Sequence, residues 1–264
     1  SEPDAGSDLA NLSTRAVAEG GTWRLTGTKV WTSRAHYARW GMVLARSDFS
    51  RPKHAGITAF AVDMRSPGIT VRPLVQMNGD THFNEVFLDA VSVPDHDRIG
   101  DVNDGWRVAI TTLSHERGSL AGTLGVSAGE ITALAGRGGA GDDPVARQRL
   151  VQALAAHRIL QWSTLRARAA QQGGRPPGPE GSGDKLRTNR MIKDAADLAM
   201  DLAGPAATVV AEPADGWQTT WLAAPSLSIR GGTDEIQRNI LGERVLGLPA
   251  EPRVDKGKPF SERA

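Results

Sequence analysis

The chain of 264 residues contains no cysteine. That excludes disulfides, thiolate metal sites and a cysteine nucleophile, and it points to a reducing compartment, the cytoplasm. Charge of one sign is also lacking, because 31 Lys and Arg stand against 30 Asp and Glu, for a formal charge of +1. No global field therefore draws the chain to nucleic acid or to anionic lipid. No run approaches the roughly 18 apolar residues that a membrane helix needs, and the N-terminus has no basic-plus-apolar signal pattern. His36, His54, His82, His96, His115 and His157 are scattered without metal-ligand spacing, so no metal site is expected. GxGxxG, Walker and GxSxG motifs are missing, which leaves Rossmann, P-loop and α/β-hydrolase folds without their markers.

What is present is 39% hydrophobic residues, enough for a sizeable core in one large domain or two ordinary ones. The chain opens on Ser1 without methionine, directly into the polar, turn-forming run Glu2 to Asp8, which predicts a segment of a longer protein. From Thr22 to about Gly100, short apolar runs such as Trp23 to Leu25, Met42 to Ala45 and Ile57 to Val62 are punctuated by Pro52, Gly56, Pro67, Gly68, Asn78 and Gly79. This spacing predicts an antiparallel sandwich or barrel. After Asp104 the texture becomes helical, with Trp106, Val108, Ile110 and Leu113 on one stripe. Helices are predicted over about 105–135, 145–170, 184–202, 217–229 and 233–245. The expected fold is α+β: a β domain over 1–100, an up-down four-helix bundle over 101–250, and a loose polar tail over 251–264.

Three clusters could carry chemistry. Gly231, Gly232 and Thr233, followed by Asp234, Glu235 and Ile236, form a turn feeding a helix whose first amides could hold an anion; an ordinary loop capped by Thr233 explains the same residues. Trp31, Thr32 and Ser33 join an aromatic plane to two hydroxyls at a strand end, which suits a flat heterocycle, although cross-strand packing would also account for them. Glu116 and Arg117, beside His115, lie mid-helix, where a solvated polar face is the simplest account.

In order and spacing, SEPDAGSD at 1–8, KVWTS at 29–33, FNEVF at 83–87, LSHERG at 113–118 and GGTDEIQRNILGERVLGLP at 231–249 resemble the acyl-CoA dehydrogenase family. The resemblance covers the family's middle β domain and C-terminal helical bundle but not its N-terminal helical domain. It implies an enzyme that uses FAD to convert an acyl-CoA to the 2-enoyl-CoA, removing an α-proton while a β-hydride passes to flavin N5. By the same resemblance Ser1, Trp31, Ser33, Thr233 and Glu235 match FAD-contacting positions, and Ser7 matches a position near the pantetheine-phosphate part of the thioester. An electron-transferring flavoprotein is the implied acceptor, and a homo-oligomer, dimer or tetramer, the implied assembly.

The reaction needs a carboxylate poised over the α-carbon, its pKa raised by a dry pocket. Many members carry that glutamate just before the Gly-Thr of the C-terminal motif, where this chain has Gly231. A minority, including isovaleryl- and long-chain-type enzymes, supply it from the first bundle helix, immediately before an arginine. Glu116 before Arg117 fits that placement, with Arg117 on the substrate side. Two departures bear on the cofactor. The Arg-x-x-Phe-Gly element that reaches a neighbour's FAD is replaced by Gly138 to Pro144, with Arg147 and Arg149 as candidate substitutes, and the glycine-rich loop after the third helix reads Leu202 to Ala207. Three rivals follow: a non-catalytic or FAD-sharing subunit of a hetero-oligomer; a DNA-binding flavoprotein of the alkylation-response branch, against which the near-zero charge counts; and another flavin-dependent oxidation, such as that of a nitroalkane or an aromatic thioester.

Overall fold

The computed structural model describes residues 1–120, 126–137, 141–174, 178–179, 181–209, 216–253 and 255–262, with the side chains of 114–120 excepted. The chain forms two compact units, one of residues 1–113 with 251–264, the other of residues 114–250.

The first unit is built on one sheet of seven strands: β1 (Arg15–Glu19), β2 (Thr22–Ser33), β3 (Trp40–Arg46), β4 (Ile57–Asp63), β5 (Ile69–Leu74), β6 (Phe83–Pro94) and β7 (Arg98–Ile99), in the order β5-β6-β2-β1-β3-β4-β7. Every pairing is antiparallel except a short parallel contact of β1 with β3 at Arg15 and Arg46. The apolar runs seen in the sequence supply its core, where Trp23, Leu25, Ala45, Phe60, Val62, Val91 and Val93 are buried. β1 lies outside the predicted strands, and its short apolar run Ala16 to Ala18 buries only Ala16. Gly20 and Gly21, both at positive φ (55° and 86°), form instead the two-residue turn that brings Glu19 opposite Thr22.

α1 (Gly105–Leu120) starts against β4. A Cβ on Gly105 would lie 2.7 Å from the carbonyl carbon of Thr58, so only glycine permits that approach. The predicted helix over 105–135 is corrected, because a separate helix α2 (Ala128–Ala133) begins with its own capping box, in which Ser127 and Glu130 satisfy each other's backbone amides. α3 (Pro144–Gln172) and α4 (Gly181–Ala203) follow, then α5 (Trp217–Ala223) and α6 (Asp234–Ile240). The stretch predicted as helix over 217–229 passes into a 3-10 helix at Ala224–Ser228, where Pro225 lacks the amide an α-helix would use. α4 packs against α3, α5 and α6. Its small residues Ala195, Ala196 and Ala199, all buried, let those neighbours approach closely, and Met191, Ile192 and Leu198 fill the rest.

The tail predicted to be loose is docked on the β unit. The Phe260 amide donates to the Arg51 carbonyl at 2.8 Å, the Ser261 amide to Phe49 at 3.0 Å, and the Phe260 ring meets Phe49 edge-on at 5.6 Å. Among the described residues no helix is long and apolar enough to cross a membrane.

Candidate functional site

In the β unit the structure brings Ser1, Trp31 and Ser33 to one end of β2. The pairing of β2 with β6 steps from Lys29 opposite Val86 to Thr32 opposite Asn84, so β2 carries one extra residue. Such a bulge re-aims a side chain. Trp31 takes a φ of 60°, rare for a bulky residue, and its ring is left 58% exposed, touching Phe83 edge-on at 6.0 Å. The contact with Phe83 runs from β2 to β6, as cross-strand packing would have it, yet the tryptophan stays largely exposed. Ser33 is exposed beside it, and the Ser1 carbonyl accepts from the amide of Val30 at 2.9 Å. An exposed ring in a strained backbone, flanked by hydroxyls, fits a flat heterocyclic ligand such as the isoalloxazine of FAD.

Two groups missed in the sequence hold this end in place. Asn84 is fully buried, donating to the carbonyls of Thr32 (3.0 Å) and His82 (3.2 Å) and facing His36 Nδ1 at 3.2 Å. Glu2 is buried under the N-terminal loop, where its carboxylate accepts from Lys29 Nζ at 2.7 Å, from the Ser13 amide at 2.6 Å and from the Thr14 amide at 3.0 Å. Burial alone would raise its pKa, but the Lys29 ammonium and these donors outweigh it and hold Glu2 down to about 2. Both residues stand inside motifs of the sequence, yet an Asn in a strand and a Glu before a Pro carry no local sign of burial. Ser7 lies further along the same loop, exposed, next to Asp8.

The backbone strain at Trp31 has a measurable consequence. Trp31→Gly removes the ring and accepts φ of 60° freely, so the apoprotein is expected to hold or gain stability, by up to about 1 kcal/mol. Flavin retention through gel filtration should fall at the same time. A calorimetric scan and the visible absorbance of the same sample test both, and a stability loss with unchanged flavin would show that the ring is merely packed.

In the helical unit the motif at 231–235 forms the turn into α6. Gly231 and Gly232 take φ of 66° and 85°, and a Cβ on Gly232 would lie 2.6 Å from Gln237 Nε2. The Thr233 hydroxyl caps α6 by accepting from the Ile236 amide at 3.3 Å. Glu235 is exposed, with Arg238 at 3.4 Å. Asp234 is held by Asn189 Nδ2 and the Ser228 hydroxyl, each at 2.7 Å. Burial opposes its ionisation, but those donors and the nearby Lys193 and Lys185 lower its pKa. The turn is further stapled from α4, where Lys185 Nζ reaches the Gly232 and Leu227 carbonyls and Asn189 donates to Leu227 at 2.9 Å. Lys185 and Asn189 are spaced i, i+4, but on a helix with solvated charges that spacing does not single them out. Gln237 donates to the Gly231 carbonyl at 3.1 Å, and its buried Oε1 has no partner among the described residues.

Beside this turn a cavity of about 560 Å³ is lined by Gly231, Arg230, Leu227, Ile192, Met191 and Trp162 among others. Glu116 and Arg117 lie on the backbone of α1, but their side chains fall outside the described residues. Of the two candidate substitutes at the altered loop, Arg149 pairs with Asp201 at 2.6 Å and Arg147 donates to the Gly141 carbonyl at 3.3 Å.

Comparison with known proteins agrees with the motifs. The family described as "Acyl-CoA dehydrogenase, middle domain" matches residues 1–91, and "Acyl-CoA dehydrogenase, C-terminal domain" matches residues 103–246. The chain is 41% identical over 261 residues to acyl-CoA dehydrogenase IpdE1 of Mycobacterium tuberculosis, covering 96% of this chain and 66% of that protein. It is 45% identical over 255 residues to acyl-CoA dehydrogenase FadE34 of the same organism, covering 94% of this chain and 34% of that protein. Among solved structures, the Tcur3481-Tcur3483 steroid ACAD superposes with a TM-score of 0.86 at 25% identity, covering 95% of this chain and 67% of its own. With one family matched over each of its two parts, the chain belongs to the acyl-CoA dehydrogenase family.

Proposed function

We propose that the protein containing this chain is an FAD-dependent acyl-CoA dehydrogenase that uses Glu116 as its base. The observation that carries the assignment is the conformation of the turn before Thr233. Gly231 stands at a φ of 66°, where a glutamate would be strained by about 1–2 kcal/mol, while Glu116 stands on α1 before an arginine. Of the family's two placements of the base, this supports the one on α1. Ser1, Trp31, Ser33, Thr233 and Glu235 would hold FAD, which when bound supplies the acceptor for the hydride that leaves the β-carbon. Glu116 takes the α-proton, and loss of both leaves the α,β double bond of the 2-enoyl thioester. Ser7 and Arg117 are read as thioester contacts. Electrons would leave to an electron-transferring flavoprotein, from an oligomeric enzyme.

The acyl group is read as bulky and ring-bearing. A cavity of about 560 Å³ beside Gly231 lies in the range of small-molecule sites, and a solved relative is a steroid ACAD. Anaerobic titration of the full-length protein with straight, branched, aromatic and steroid-derived acyl-CoA thioesters, followed at the visible flavin band, tests this. Bleaching by ring-bearing thioesters is expected. A bound flavin that no thioester bleaches would overturn the dehydrogenase assignment, and bleaching by straight chains alone would overturn the substrate class.

A further inference from the structure

The docked tail reaches the residues that follow Ser7 through two cations, Arg46 and Lys53. Arg46 is fully buried at the end of β3. Its Nε donates to the Leu12 carbonyl at 3.0 Å, its Nη2 to Ala10 at 2.6 Å and its Nη1 to Lys53 at 3.2 Å. These contacts occupy the edge of the guanidinium, and the ring of Phe260 covers its face at 3.6 Å from the ring centroid. A planar cation is held best in that way, with carbonyls in its plane and an aromatic ring above it. Next to Ser7, Lys53 Nζ stands between Asp8 (2.8 Å) and Asp255 of the tail (2.6 Å). The tail therefore reaches Ala10 and Leu12 through one cation, and Asp8 through the other.

We propose that residues 255–262 form a strap that sets the position of the thioester-binding loop, with Asp255 and Phe260 as positioning residues. The inference rests on the reading of Ser7 as a thioester contact. Ser7 is exposed and precedes Asp8 directly, so its hydroxyl is placed by whatever fixes Asp8 and the residues after it. Loop backbone that must present a hydroxyl to a ligand loses affinity when it moves, because ordering it is then charged to binding. The strap supplies that order in advance, from a segment more than 200 residues away in sequence.

The test uses the full-length, flavin-loaded protein carrying Phe260→Ala or Asp255→Asn, the latter a mild change at a partly exposed side chain that preserves folding. Affinity for a 2-enoyl-CoA, read from the shift of the flavin spectrum, and KM for the acyl-CoA are expected to weaken about tenfold. Flavin content and kcat should stay within twofold, and Phe260→Trp and Asp255→Glu should restore affinity. Unchanged affinity with a lowered melting temperature would overturn the proposal, leaving the tail a stability element. Ser7→Ala separates the two inferences. Should it weaken binding while the tail variants do not, the strap fails and the loop assignment stands; should Ser7→Ala have no effect, the loop assignment fails, and with it the strap as stated here.

Discussion

Glu116→Gln is expected to bind flavin and thioester as the parent does and to reduce its flavin about 10³-fold more slowly, within the range that a positioned general base contributes. The amide keeps the shape of the carboxylic acid but has no lone pair basic enough to take the α-proton. Anaerobic stopped-flow mixing with the best thioester of the titration isolates that step, because the loss falls on the rate of bleaching and not on the affinity. Rival carboxylates in the helical unit are poorly placed to compensate. Asp234 is held by Asn189 and Ser228, Glu235 is exposed beside Arg238, and Asp184, on the cavity wall, pairs with Arg187 at 3.1 Å. Asp184→Asn accordingly should leave the rate within twofold. A Glu116→Gln protein that reduces its flavin within a few-fold of the parent rate would remove Glu116 from the mechanism.

The two placements of the base differ in how they load the backbone. A glutamate before the Gly-Thr pair must leave the left-handed conformation that Gly231 takes, or bear its strain. With the base on α1, the turn is free to keep two consecutive left-handed glycines, and Lys185, Asn189 and Gln237 are free to staple their carbonyls. On the proposed placement, the turn that begins α6 and the identity of the base are one choice. The family motif keeps Thr233 as helix cap in either case, which explains why the glycine pair, and not the cap, distinguishes this chain.

Much of this architecture was legible in the sequence because it rests on local signals. Apolar runs between turn residues gave β2 to β6, helical periodicity gave α3 and α4, and the Gly-Gly-Thr run gave the turn and its cap. β1 was not legible as a strand, since one buried alanine makes no alternation, although the Gly20–Gly21 pair marked its hairpin. The break after α1 was marked by Ser127 and Glu130, three residues apart. What could not be read is what depends on distant partners. The exposure of Trp31 follows from a bulge defined against β6, the burial of Arg46 from Phe260, and that of Glu2 from Lys29. Arg46 and Glu2 are charged residues whose local pattern suits a surface and Trp31 an aromatic whose pattern suits cross-strand packing, and only the fold buries the first two and leaves the third exposed. The role of Glu116 came from resemblance, for no local feature distinguishes it from a solvated helix residue.

Glu2→Gln should cost about 3 kcal/mol of stability, the penalty for leaving one member of a buried ion pair uncompensated. Lys29 Nζ also donates to the Leu44 carbonyl at 2.6 Å, so the ammonium stays in place when its partner is neutralised. Lys29→Met in the same chain should recover most of the loss, since an apolar side chain has no charge to strand. The pH dependence follows from the direction of the shift. With the folded pKa held down from 4.5 to about 2, the carboxylate adds its full contribution above about pH 4.5 and loses it as the pH falls toward 2. The parent and the Glu2→Gln protein should therefore differ by roughly 10 °C in melting temperature at pH 7, and converge in acid. A difference that persists unchanged to pH 2 would mean that the amide disturbs packing and not charge. The functional consequence lies one residue away. Ser1 and Val30 are joined by a backbone hydrogen bond between the residues adjoining Glu2 and Trp31, so loss of the pair should speed hydrogen exchange at the Val30 amide and loosen flavin together. Faster exchange without flavin loss would confine the pair to stability, whereas both changes together would make Glu2 and Lys29 the anchor on which the exposed tryptophan depends.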